Sequence, residues 1–463
     1  MRSHPRGAVR LTYAFVNGFT RDPSVDGEVG VAGTVQRQDD ADVVVVGAGP
    51  AGASAAYWLA SAGLDVLVLE KTAFPREKVC GDGLTPRAVR ELVAMGVPIR
   101  AEDGWIRNKG LRVYGGGHRL EMPWPQLDSF PDFGLARTRR DFDAALADHA
   151  RAAGAKILER TAVTGPVLHE RTGRLVGVTA RPVDDAGRKA GDEVTYRAPV
   201  VIAADGVSAR LALAMGIEKN PRRPMGVAVR TYFATPMHDD EWMESHLELW
   251  DGPAGRSNLL PGYGWIFPLG DGTANVGLGS VSSTATATKI DYKDLLARWV
   301  ANAPEHWQFD VDAPLGPVRG AALPMAFNRK PLYDRGLLLV GDSGGMVSPF
   351  NGEGIAYAMQ AARRAAEVVV QAHARRTPAA RDAVLSTYPK VMADELGGYY
   401  SLGRIFVKLI EQPAIMHLCT RYGLPRPALM RLVMKLLADV YEPRGGQASD
   451  RLIAALTRIA PAA

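Results

Sequence analysis

Cysteine is almost missing: Cys80 and Cys419 alone occur in 463 residues, too few for a disulfide framework and at no zinc-ligand spacing. A reducing, cytoplasmic setting is expected, with no structural metal. Long apolar runs are missing too. No stretch of roughly 18 apolar residues occurs and the mean hydropathy is -0.07, which argues against a spanning helix. The 49 glycines and 31 prolines stay well below the quarter or more that marks low-complexity disorder. With 47% hydrophobic and 23% charged residues, the chain can bury a substantial core. Its length predicts about three domains, or one large two-part domain.

A net charge of +5 and a pI near 9.1 raise the question of a nucleic-acid partner. The surplus is local: Ser401 to Ala463 carries nine Lys/Arg against four Asp/Glu, and the rest is neutral. No zinc finger, basic zipper or RNA-binding fingerprint occurs, so no nucleic-acid partner is expected. The basic, Leu/Ile/Met-rich tail suits peripheral contact with an anionic membrane surface; an ordinary solvated helix face is the competing reading. Residues 1–40 place Arg2, Arg6 and Arg10 around a short stretch, Leu11 to Phe19, interrupted by Asn17 and Gly18. They lack a signal peptide's unbroken apolar core and read as a flexible extension or an over-long start.

Ala41 to Gly47 (ADVVVVG) is a β-branched run suited to a parallel strand buried on both faces. Gly47, Gly49 and Gly52 follow in GAGPAG, where Pro50 and Ala51 open a helical stretch to Ala62. A second strand, Leu64 to Glu70, completes a βαβ unit with Lys71 directly behind it. Glu70 stands 23 residues past Gly47, where the dinucleotide fingerprint needs an acid for a ribose hydroxyl. The first glycine permits the tight turn, the second admits a pyrophosphate to the backbone, and the third lets helix pack on strand. The helix N-terminus faces the negative charge.

Val200 to Gly206 (VVIAADG) and Gly336 to Asp342 (GLLLVGD) are two more buried strands, each ending in an acid at the sheet edge that binds ligands in open α/β folds. With these three motifs the chain resembles FAD-dependent oxidoreductases of the para-hydroxybenzoate hydroxylase class. The resemblance implies FAD as cofactor, with Asp205, Gly206, Ser208 and Arg210 as the second motif. Gly341 and Asp342 form the third, Asp342 holding the flavin ribitol. Ser208 and Arg210 follow Asp205 more closely than in the usual form. Arg139, three residues before Phe142 and Asp143, matches a class arginine; it is a cofactor contact or a surface arginine capping a helix. Pro349 and Asn351 to Gly354 then form a loop delivering a helix that starts at Ile355. In the class this helix turns its positive end to the flavin's pyrimidine edge, and Gly352 and Gly354 let backbone pass close to the ring. Glu353 reads either as a first-turn acid of that helix or as a catalytic residue.

Between these motifs lie strand-like runs at Leu111 to Met122, around Gly115 to Gly117, and at Gly226 to Phe233, His246 to Trp250 and Asn275 to Ser280. They predict a second, antiparallel sheet inserted into the nucleotide domain. Gly277-Leu278-Gly279 has no following helix, so a separate nicotinamide domain is not expected and the electron donor, whether NAD(P)H, ferredoxin or a quinol, must dock transiently. Asp239, Asp240 and Glu241 lack the paired-aspartate spacing of diphosphate enzymes and read as a solvated loop. Two segments, Phe74 to Gly83 (FPREKVCGDG) and Leu260 to Leu269 (LPGYGWIFPL), resemble the geranylgeranyl reductase family, with its Lys-x-Cys-Gly and Tyr-x-Trp-x-Phe-Pro motifs. With Ser245 to Trp250 (SHLELW), the arrangement is most similar to the family's actinobacterial menaquinone-reductase branch.

That resemblance implies saturation of an isoprenoid carbon-carbon double bond, in menaquinone or, as the alternative, in geranylgeranyl diphosphate or a geranylgeranyl lipid. Tyr263, Trp265 and Phe267 alternate and would present one aromatic wall to an isoprenoid; a plain core strand gives the same pattern. Cys80 is either an active-site thiol that orients substrate or relays a proton, or a small buried hydrophobe. Flavin halogenases share part of the aromatic motif, but their lysine would fall near Arg90, which cannot replace it. The expected fold is α/β: a Rossmann-like FAD-binding domain (41–105, 136–222 and 323–372), an inserted β-sheet substrate domain (106–135 and 223–322) and a helical C-terminal region (373–463).

Overall fold

The computed structural model describes residues 40–281 and 290–460; apart from Asp40, the N-terminal extension lies outside them. A six-stranded sheet anchors the nucleotide half. Val43–Val46 runs at its centre, parallel to Val200–Ala203 on one side and Val66–Leu69 on the other, in register Val43 to Val200 and Val43 to Val66. Leu337–Leu339 extends the sheet beyond Val200–Ala203, and Lys156–Leu158 beyond Val66–Leu69. Valines buried on both faces explain why these runs show no polar alternation. Pro50 starts the helix Pro50–Ser61, where its missing N–H costs nothing, and that Ala-rich helix packs on the equally Ala-rich helix Ile355–His373. The three sequence motifs therefore end side by side at one edge of one sheet.

A seven-stranded sheet forms the second layer, in the order Arg319–Pro324, Met225–Ala234, Thr273–Val281, Gly262–Pro268, Trp242–His246, Gly110–Gly115, His118–Pro123. All neighbours are antiparallel except Trp242–His246 with Gly110–Gly115. The strand expected at His246 to Trp250 sits earlier, at Trp242–His246, while Leu249–Trp250 pairs separately with Leu259–Leu260. The shift has a chemical cause. Glu244 occupies the middle of that strand fully buried, accepting from Arg112 at 3.1 Å, Tyr114 at 3.2 Å and Trp307 at 3.0 Å. A charge so satisfied can stand where a sequence pattern expects an apolar side chain. Asp240 is likewise no solvated residue: it pairs with Arg112 at 2.6 Å with its side chain 7% exposed.

Helices Pro378–Leu385, Gly398–Ile410, Pro413–Gly423, Pro427–Leu437 and Ala448–Ile459 complete the chain, three of them opening on proline. Among the described residues, no helix is long and apolar enough to cross a membrane and no His/Cys/Asp/Glu cluster could hold a metal ion.

Candidate functional site

One cavity of about 680 Å³ runs from the glycine loop, past the strand-end acids, to the inserted sheet and the C-terminal helices. At its nucleotide end the backbone leaves no room for side chains. Gly47 has φ +93°, and a Cβ there would lie 2.6 Å from the Ala204 carbonyl; a Cβ on Gly52 would lie 1.8 Å from the Gly47 carbonyl. Gly49 is different: a Cβ there would come no nearer than 3.7 Å, to Arg76 Nη2, and the residue lines the cavity. Glu70 fixes the loop, accepting from Ala48 N–H at 2.8 Å and from Thr72 through its hydroxyl at 2.7 Å.

Gly47, Gly49, Pro50, Ala51, Glu70, Lys71, Asp205, Asp342, Pro349, Gly352, Gly354 and Ile355 all line this cavity, as do Ser208 and Arg210. Gly52 and Gly341 do not. They shape the wall from behind, Gly341 (φ +61°) wedged between Ala51 and Ala358. Arg139 is also at the wall and buried, which excludes the surface-cap reading. It begins the helix Arg139–Ala152 and binds Asp143 with Nε at 2.7 Å and Nη2 at 2.9 Å. Burial pushes the Asp342 carboxyl up, against the charges of Lys78 and Arg139. Asp205 Oδ1 is buried without a hydrogen-bond partner, and Arg76 Nε, also without one, lies 3.6 Å from Glu70 Oε1. An orphaned carboxylate oxygen and an arginine beside a glycine cradle and a helix N-terminus match what a dinucleotide supplies: hydroxyls and phosphate oxygens. The residues fit FAD.

Cys80 faces the same cavity. Burial raises its thiol pKa and the Arg139 guanidinium pulls it back, so the thiol stays neutral. The loop carrying it is held by a residue the sequence did not flag. Asn275, fully buried on Thr273–Val281, accepts from Trp265 Nε1 at 2.8 Å and donates to Asp82 at 2.7 Å and to the Cys80 carbonyl at 3.2 Å. Asp82 in turn accepts from Arg139 N–H at 2.8 Å, and burial lifts its pKa to about 6. One asparagine thus ties the thiol loop to the aromatic strand.

On Gly262–Pro268 the rings of Tyr263, Trp265 and Phe267 share one face, at centroid spacings of 6.1 and 6.2 Å, and all three line the cavity. Gly277 makes this possible, since a Cβ there would lie 2.2 Å from the Trp265 ring. The glycines that mimicked a dinucleotide motif are a bed for an indole. Arg90, where sequence spacing would put a halogenase lysine, packs over Phe130 at 4.4 Å and does not line the cavity.

Residues 40–390 match the family model described as FAD binding domain. The chain is 36% identical over 402 residues to a menaquinone reductase of Mycobacterium tuberculosis, covering 87% of this chain and 92% of that protein. It is 31% identical to a digeranylgeranylglycerophospholipid reductase of Methanosarcina acetivorans, covering 72% and 76%. A solved geranylgeranyl bacteriochlorophyll reductase-like protein of Thermoplasma acidophilum shares the fold, with a TM-score of 0.70 at 23% identity, covering 90% of this chain and 99% of that one. A glycine cradle fitted to FAD, a cysteine loop tied to an aromatic strand, and relatives matched over three quarters or more of their length lead to one assignment: the chain belongs to the geranylgeranyl reductase family of FAD-dependent oxidoreductases.

Proposed function

We propose that this protein saturates a carbon-carbon double bond in the prenyl side chain of menaquinone while resting on the cytoplasmic membrane surface. The distribution of charge along the cavity carries the reading. Every described cation on its wall, Lys71, Arg76, Lys78, Arg139 and Arg210, belongs to a motif or loop of the nucleotide half. Away from the nucleotide motifs the wall is mostly apolar, with Leu111, Trp124, Met243, Phe406, Ile410 and Met416, and its polar members Thr85, Ser245, Ser280, Asn351 and Glu353 carry no positive charge. Such a lining suits a neutral isoprenoid and gives a diphosphate headgroup no cationic partner among the described residues there. Bound FAD supplies hydride transfer, and an electron donor docks transiently to restore it.

An isolated alkene has no carbonyl to absorb charge, so placement and exclusion of water carry the catalysis. Tyr263 and Trp265 hold the chain, and their ring faces stabilise cationic character at the reacting carbons. Cys80 presents a neutral thiol that orients the bond. Deleting the gene should leave menaquinone with a fully unsaturated side chain, measured by mass spectrometry of the extracted quinones. A partly saturated quinone pool in the deletion strain would overturn the assignment.

The membrane contact has its own support. Phe406, Ile410 and Met416 line the cavity, while Ile405, Leu409, Leu418 and Tyr422 of the same two helices are about half exposed. Arg404, Lys408 and Arg421 lie among them in sequence. Apolar residues with cations beside them in sequence, at the end of a cavity suited to a lipid, suit an anionic bilayer. Flotation with acidic vesicles is expected, weakening with salt, and Ile405→Glu with Leu409→Glu should abolish it without unfolding the protein. Equal recovery with neutral vesicles would contradict this contact.

A further inference from the structure

Saturating an alkene requires a proton at the carbon that does not receive hydride, and the cavity wall holds a carboxyl placed for that task. Glu353 precedes Gly354, the N-cap of helix Ile355–His373, and so is not a first-turn acid of that helix. The residue lines the cavity, as does its partner Thr85. Oε1 accepts from the Thr85 hydroxyl at 2.9 Å, Oε2 lies 3.5 Å from Asn351 Nδ2, and no described cation forms an ion pair with it.

The surrounding elements leave this carboxyl acidic. On helix Pro86–Met95, Arg87 is committed to Asp439 at 2.8 Å and to Gln360 at 2.8 Å, and the Arg87 and Asp439 charges act on Glu353 with opposite signs. Tyr357, on the helix behind, lies 3.5 Å from Asp439. Tyr263, from the aromatic strand, donates its hydroxyl to the Asn351 carbonyl at 2.5 Å and keeps that proton at neutral pH. Burial outweighs the opposing hydrogen bonds and lifts the Glu353 pKa to about 7. An acid near the working pH is an efficient proton donor.

We infer that Glu353 is the catalytic acid that protonates the second alkene carbon. The inference rests on the reductase reading above. The reduced cofactor would supply a hydride for one C–H bond; the Glu353 O–H bond breaks and its proton forms the other C–H bond with the electrons of the broken π bond. The alkene is reduced and the cofactor oxidised, and the carboxylate takes a proton from solvent once product leaves. Cys80, whose thiol is pushed above its ordinary range, is left with the orienting role.

Glu353→Gln preserves shape and the Thr85 contact but carries no acidic proton. It should keep its flavin, and anaerobic single-turnover oxidation of the chemically reduced protein by menaquinone should slow by about 100-fold or more. The wild-type rate should fall as pH rises through about 7, and this limb should vanish in the Gln variant. Glu353→Asp should retain the limb at a lower rate, and it decides the matter if the Gln variant cannot hold flavin. Independently of substrate, infrared spectra should show a carboxylic-acid carbonyl band that titrates near neutrality and is absent from Glu353→Gln. A Gln variant within two-fold of wild type with an unchanged pH limb, or a carboxyl already ionised about one pH unit below neutrality, would overturn the inference. Wild-type protein that reduces no prenyl chain at all would instead defeat the reductase reading, leaving the infrared result to decide whether Glu353 is an acid.

Discussion

Asp342→Ala should purify as folded protein that has lost most of its FAD. The carboxyl stands at the end of Leu337–Leu339, at the cavity wall, and no described group donates a hydrogen bond to it. Its partner is therefore expected in the cofactor, the ribitol hydroxyls in the reading given above. A hydrogen bond to a charged group contributes about 1.5–3 kcal/mol, so flavin affinity should drop by about 10- to 150-fold. The folded chain itself loses no partner. Removing a carboxyl that burial already disfavours should leave the apoprotein's melting temperature unchanged or slightly higher. Retention of full flavin absorbance through dialysis would reject this assignment.

Cys80→Ala separates the substrate half from the cofactor half. Cys80 lines the cavity with its thiol beside Arg139, while Asn275 holds its loop through the backbone carbonyl. Flavin content and stability should therefore stay near wild type. Turnover should fall by about 100-fold or more, the scale on which misplacement of a reacting group acts. Cys80→Ser should recover part of the rate, because a hydroxyl can fill the same place beside Arg139. Wild-type turnover in Cys80→Ala would return Cys80 to the role of a small wall residue.

The nucleotide half was legible because its chemistry is local. Gly47, Gly49 and Gly52 need only their own strand and helix to make sense, and Asp205 and Asp342 each close a buried run. The aromatic strand was legible as a period of two. Other features depend on pairings that sequence order conceals. Asn275 and Cys80 are 195 residues apart, and nothing in the run around Asn275 shows that its amide spans two layers. Glu244 hid a strand, because its partners Arg112 and Trp307 come from distant segments. Arg76 was legible only as part of a family motif; in the fold it reaches Asp143 at 3.0 Å across the glycine loop. Glu353 was visible as a residue, but its two readings could be separated only by the helix start at Ile355 and the hydroxyl of Thr85.

The most direct test is anaerobic incubation of the FAD-loaded, chemically reduced protein with menaquinone in acidic lipid vesicles, followed by mass spectrometry of the quinone and its fragments. The account predicts a gain of two hydrogens located in the prenyl side chain, with the flavin oxidised in step and no requirement for oxygen. Menaquinone left unchanged while geranylgeranyl diphosphate is saturated, or a hydroxylated product formed only when oxygen is admitted, would contradict it.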